Sequence, residues 1–188
     1  MCIEEGLWLN KQLARKVVEI PENVKVRIDQ NVVSVEGPLG KLERNFSHAP
    51  IAIQRGDGEV VVEAVSTDKK RMAMVGTIRS HVRNMMTGVV KGFTYKLKIV
   101  YAHFPMSIKV TDREIIIENF SGERKPRRVK RSGSVDVTLS GDDVILKGLD
   151  IEEVSQLAAS IEQKTKIKKK DPRIFLDGIY VYESGEGM

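Results

Sequence analysis

Along most of this chain, apolar and polar residues alternate in short bursts, the period of two that belongs to strands with one buried face. Val26, Ile28, Val33 and Val35 show it, and so do Ile108, Val110, Ile115 and Ile117. Turn-forming pairs separate the bursts: Asp29-Gln30-Asn31, Gly37-Pro38, Asp57-Gly58, Ser121-Gly122 and Gly141-Asp142. Short strands joined by tight turns should pair antiparallel. Twice the period changes to that of a helix. Met74, Ile78, Val82 and Met85 predict a helix from about residue 67 to residue 90, capped by Thr67 or Asp68. Val154, Leu157, Ala158 and Ile161 predict a second one. Asp150 should cap it, with Glu152 and Glu153 near the positive end of its dipole.

The two halves share one order of elements. VRIDQNVVSVEGPLG (Val26 to Gly40) aligns without a gap on IKVTDREIIIENFSG (Ile108 to Gly122). GEVVVEAV then matches DDVILKGL, MVGTIRS matches LAASIEQ, and GFTYKL and GIYVYE close the halves after each helix. Several matches in one order mark an internal repeat. The prediction is an α+β protein of two tandem copies of a small domain, each a mostly antiparallel sheet with one helix packed on a face. The boundaries fall at residues 1–91 and 92–188.

Composition narrows the partners more than the chemistry. Apolar residues make up 41% of the 188, enough for a core but leaving a wet surface. The net charge of +5 favours an acidic partner. A lone cysteine, Cys2, excludes an internal disulfide. The first residues lack the basic and apolar regions of a signal peptide, and no apolar run approaches the about 20 residues a spanning helix needs. A soluble, intracellular protein with no membrane partner is expected.

Catalytic, metal and cofactor sites are not expected. His48, His81 and His103 lie far apart, and none has a partner at metal-ligand spacing. No P-loop, nucleophile elbow, dinucleotide glycine motif or HExxH is present. Gly37-Pro38-Leu39-Gly40 has the spacing of a backbone-clamping GxxG loop. It lies between apparent strands instead of helices, so it reads as a hairpin turn.

Two basic clusters carry more. Arg124, Lys125, Arg127, Arg128, Lys130 and Arg131 fall within eight residues, where the first copy has only Lys41 and Arg44. Pro126 assigns them to an edge or a loop, and guanidinium forks on an edge meet phosphate oxygens bidentately. Charge also protects bare edges from aggregation, but the density and the arginine content favour phosphate. The second cluster is Lys164, Lys166, Lys168, Lys169, Lys170 and Arg173, within KTKIKKKDPRIFLDGIYV. Its lysines should end the second helix, and Asp171-Pro172 should stop it. Ile174, Phe175, Leu176, Ile179, Tyr180 and Val181 should be buried as the chain returns to the sheet. Only Phe120 and Phe175 lie near the clusters in sequence, so backbone and shape recognition of folded RNA is expected over base stacking.

EIPENVKV, SHVRNMMTGVVKGFTYKLKIVYAHFP, IIIENFSGERKPRR and DPRIFLDGIYV together resemble one family. It is the universal large-ribosomal-subunit protein called L-six in bacteria and L-nine in eukaryotes. FLDGIYV and VYAHFP are similar to its archaeal and eukaryotic branch. The resemblance covers residues 17–181 and implies two duplicated α+β domains, no catalysis, and large-subunit ribosomal RNA as partner. It further implies a cytoplasmic ribosomal location, nucleolar during assembly in a eukaryote, and neighbouring ribosomal proteins. It also implies a place close to the sarcin–ricin loop and stalk base, where translational GTPases dock. The RNA contact it implies falls on the GERKPRR loop, beginning at Gly122, and on the KKKDPR segment. The first sixteen residues and the tail ESGEGM depart from the family pattern. The alternative from another class is a non-ribosomal adaptor that binds proteins along its sheet edges.

Overall fold

A computed structural model describes residues 13–65, 68–168, 170, 171 and 173–188. Cys2, the capping alternative Thr67, Lys169 and the helix-stopping Pro172 lie outside the described residues. The chain divides into two compact units between Val90 and Lys91.

In the first unit, β2 (Lys25–Asp29), β3 (Val32–Gly37) and β4 (Gly40–Asn45) form an antiparallel sheet in the order β2-β3-β4. β1 (Leu13–Glu19), β5 (Ala52–Arg55) and β6 (Glu59–Val65) form another, ordered β1-β6-β5. The helix α1 (Lys69–Val90) packs on strands of both. Asp68 caps it, accepting the Lys70 N–H at 3.0 Å. Val33, Val35, Val60, Val62, Val75, Val82 and Val89 are fully buried between helix and strands, each contributing roughly 1.5–3 kcal/mol of apolar burial. The GxxG stretch is a hairpin turn: Gly37 pairs with Gly40, and the Leu39 N–H donates to the Val89 carbonyl at 3.0 Å. A Cβ on Gly37 would lie 2.7 Å from Val89 Cγ2, so the glycine there serves packing against the helix end.

The second unit repeats the plan with additions. β8 (Ser107–Val110), β9 (Glu114–Glu118) and β10 (Arg127–Lys130) form a sheet ordered β10-β9-β8. β7 (Phe93–Val100), β11 (Asp136–Ser140), β12 (Asp143–Gly148) and β13 (Gly178–Glu186) form a four-stranded sheet ordered β11-β12-β7-β13. The helix α2 (Ile151–Lys164) buries Val154, Leu157, Ala158 and Ile161 against strands of both sheets. Asp150 caps it, accepting the Glu152 N–H at 2.9 Å.

The expected plan of two α+β copies, mostly antiparallel with one helix each, holds, and within it each unit spreads its strands over two sheets bridged by the helix. The structure corrects two expectations. The strand after α1 does not close the first copy: β7 is a central strand of the second unit, paired with β12 and β13. Its counterpart is β1, since each pairs with the strand just before its unit's helix. Lastly, α2 ends at Lys164, well before Asp171, because Thr165 stops it. The buried Thr165 hydroxyl donates to the Ile161 and Glu162 carbonyls and accepts the Ile179 N–H at 3.1 Å.

Candidate nucleic-acid interface

The last lysines therefore lie on a loop hung between two fixed points. Thr165 and Asp177 are the buried polar residues among the described ones, each 1% exposed. Asp177 Oδ1 accepts the backbone N–H groups of Ala102 and His103, and Oδ2 lies 3.1 Å from His103 Nδ1. Burial pushes the Asp177 carboxyl up; the two N–H groups and the His103 ring outweigh it and hold the carboxyl below its ordinary value. A carboxyl lowered by folding stabilises the fold above its unfolded value, about 3.9, and loses that contribution as pH falls through the folded value. Asp177→Ala leaves two N–H groups without their acceptor. It is expected to cost about 2 kcal/mol near neutral pH, with the gap to the parent narrowing below about pH 4 in urea unfolding followed across pH.

Between these anchors the chain does not dive into the core. Ile174 and Leu176 are 64% and 52% exposed and Tyr180 is also exposed, whereas Ile179 is buried and Phe175 half-buried. The expectation of a fully buried apolar run fails because hydrogen bonds to Asp177, not apolar burial, hold this loop.

The loop faces the other basic cluster. A cleft of about 720 Å³ is lined by Phe120, Ser121, Glu123, Lys125, Pro126, Arg127 and Arg128 from one side. Gln163, Lys164, Lys166, Ile167, Lys168 and Lys170 line the other. Two clusters nearly forty positions apart thus share one concave surface. Among the described residues Glu123 is the single carboxylate in that lining, and it is taken.

Arg127 takes it, and so differs from its neighbours. Its Nε and NH2 donate to Glu123 Oε2 and Oε1 at 2.9 and 2.5 Å, and NH1 donates to the Lys164 carbonyl at the end of α2. Its Cζ lies 4.0 Å from the centroid of Phe120. The hydrogen bond from Arg127 is the leading reason that the Glu123 carboxyl is held below the ordinary carboxylate range. Arg127 thus clamps β10 to α2 across the floor of the cleft. In β10 it shares the inner face with buried Val129, while Arg128 and Lys130 point to solvent.

The remaining basic residues divide by surroundings. Lys125, Lys164, Lys166 and Lys168 are exposed, and their side chains have no hydrogen bond or ion pair among the described residues. Arg128 is exposed, with Glu114 at 3.5 Å. Arg131 is folded back: its Nε donates to the Val135 carbonyl at 2.9 Å, and its NH2 lies 3.9 Å from Asp136. Gly122, Arg124, Lys130, Arg131 and Arg173 are not part of the cleft lining. Gly122 holds φ +78° in the turn that precedes β10. Sequence reasoning missed Gln163 and Ile167, which carry no signal of their own. It also missed the segment Tyr101 to Phe104, which follows β7 and is tied to the loop after α2 by the Val100–Gly178 pairing and the Asp177 hydrogen bonds.

Among the described residues, no group of His, Cys, Asp and Glu is placed to hold a metal ion. No described helix is long and apolar enough to cross a membrane.

This architecture has relatives. The sequence model described as "Ribosomal protein L6" matches residues 20–92, all but the last two in the first unit, and again 104–178, within the second. A protein of Methanosarcina mazei named "Large ribosomal subunit protein uL6" is 50% identical over 92% of this chain and 98% of its own. Proteins of the same name from Desulfurococcus amylolyticus and Aeropyrum pernix are 49% and 50% identical. They cover 91% and 88% of this chain, and 95% and 92% of their own lengths. Two matched repeats on a duplicated α+β frame, with half the residues shared over nearly the full length, fix the assignment: the chain belongs to the ribosomal protein L6 family, structural and non-enzymatic proteins of the large ribosomal subunit.

Proposed function

We propose that the chain binds large-subunit ribosomal RNA through the cleft between β10 and the loop after α2, as a structural constituent of the ribosome. The supporting observation is that, among the described residues, seven cations line that cleft with one carboxylate, which Arg127 already neutralises. Such a surface takes a phosphate backbone, and lysines on a loop adapt to it. Lys125, Arg128, Lys164, Lys166, Lys168 and Lys170 contact phosphates directly. Arg127 holds the two walls together, and Gly122 sets the turn that leads into β10. Arg124, Lys130, Lys169, Arg173 and, least of all, the folded-back Arg131 extend the field around the cleft. The second unit, residues 92–188, carries this main contact.

The family likeness supports the finer placement: near the sarcin–ricin loop and stalk base, beside neighbouring ribosomal proteins and within reach of translational GTPases. The test uses large subunits stripped of their own family member. The full-length chain should co-sediment with them through moderate salt and protect nucleotides around the sarcin–ricin loop from chemical attack. A chain that stays in the light fraction is an adaptor or something else. Stable binding with protections elsewhere removes the placement alone.

A further inference from the structure

Beside Phe175, an exposed ring from outside both clusters reaches the wall of the cleft. Phe104 and Tyr101 are 47% and 45% exposed. The Phe104 ring lies against Gly122, where a Cβ would sit 3.4 Å from two of its carbons. Gly122 directly follows Ser121, part of the cleft wall. On the same loops, Lys170, another cleft residue, lies 4.4 Å from the centroid of Phe175, and that ring stacks on His103 at 4.9 Å. Asp177 bonds the backbone of Ala102 and His103, so the rings are held against the loop after α2.

We propose that this aromatic shelf takes an unpaired nucleobase of the same RNA whose backbone lies in the cleft. The ligand class is then an RNA helix interrupted by a bulged or looped-out nucleotide, not a continuous duplex. The inference rests on the RNA reading of the cleft. Duplex RNA offers its backbone to cations but keeps its bases stacked, so exposed rings gain nothing from it; an extruded base presents a π face to them. Charge favours RNA over an apolar polypeptide on this patch. Lys170 is exposed on the same loop, and lysine is depleted where proteins bury apolar surface against each other. Of the carboxylates on this loop, Asp177 is buried and bonded inward, and Asp171 is exposed but accepts the Arg173 N–H at 2.9 Å.

The test places the photoreactive phenylalanine analogue benzoylphenylalanine at position 104 and, in a separate chain, at position 125. Each full-length chain is then bound to large subunits stripped of their family member. Position 104 should crosslink to a ribosomal RNA nucleotide outside any base pair, a few nucleotides from the crosslinks of position 125. Phe104→Leu should raise the dissociation rate by about five- to a hundredfold, the usual worth of one stacked base, while Phe104→Trp should leave it near the parent's. Crosslinks from 104 to a protein or to paired nucleotides overturn the inference, as does a Leu variant that dissociates no faster. If position 125 also fails to reach RNA, the RNA reading of the cleft falls with it.

Discussion

Replacing Lys125, Arg128, Lys164, Lys166, Lys168 and Lys170 together by glutamine is expected to weaken binding to large-subunit RNA by orders of magnitude. The slope of log affinity against log salt should flatten by roughly four to five, because each phosphate contact releases about 0.7 to 0.9 of a counterion. The folded state should barely notice. All six side chains are exposed; among the described residues only Arg128 of the six has an ion-pair partner, the carboxylate of Glu114 at 3.5 Å, and Lys170 lies over the Phe175 ring. Substitutions at such positions usually shift stability by about 0.5 kcal/mol or less each. Lys164, in the last turn of α2, adds a small dipole contribution that the variant loses. Filter binding across a salt series, with thermal unfolding alongside, separates the two effects. An unchanged slope in a folded variant removes these residues from the interface.

Arg127→Lys should behave in the opposite way. The positive charge remains, but an ammonium group cannot hold both Glu123 oxygens, reach the Lys164 carbonyl and lie on the Phe120 ring together. The expected loss is about 1–2 kcal/mol of stability: above an ordinary surface ion pair because the contact is bidentate and stacked, yet limited by partial exposure. RNA affinity should fall as the walls of the cleft lose their brace, while the salt slope stays at the parent's value. In the parent the clamp weakens in acid. Folding holds the Glu123 carboxyl low, so its contribution is present above the unfolded value, about 4.3, and is lost as pH falls through the folded value. Urea unfolding and the salt series, run on one variant, decide between a brace and a direct phosphate contact.

Much of the fold was legible because it rests on local periodicity. Strand alternation around Val33 and Ile115, the Asp150 cap and the four-residue stripe of α2 are local signals, and the structure keeps them all. The repeat carried the architecture. It also misled at β7, since GFTYKL and GIYVYE look alike while one opens the second unit and the other closes it. Composition located both basic clusters but could not rank their members. Arg127, Arg128 and Arg131 read alike in sequence, yet one clamps, one faces solvent and one is folded back. The difference lies in Glu123, the Lys164 carbonyl and the Val135 carbonyl, and only tertiary pairing supplies those partners. The end of α2 was misplaced for a related reason. Thr165 stops the helix through a bond to Ile179, a long-range partner that helix-stop rules do not see.

The central claim is that two clusters distant in sequence grip one stretch of RNA. Iron tethered at position 125 or at position 166, in chains bound to large subunits, cleaves nearby ribosomal RNA by hydroxyl radicals. The two cleavage patterns should coincide on the same short stretch of backbone, because both residues line one cleft. Cleavage of unconnected RNA segments, or none from one of the two positions, would contradict it.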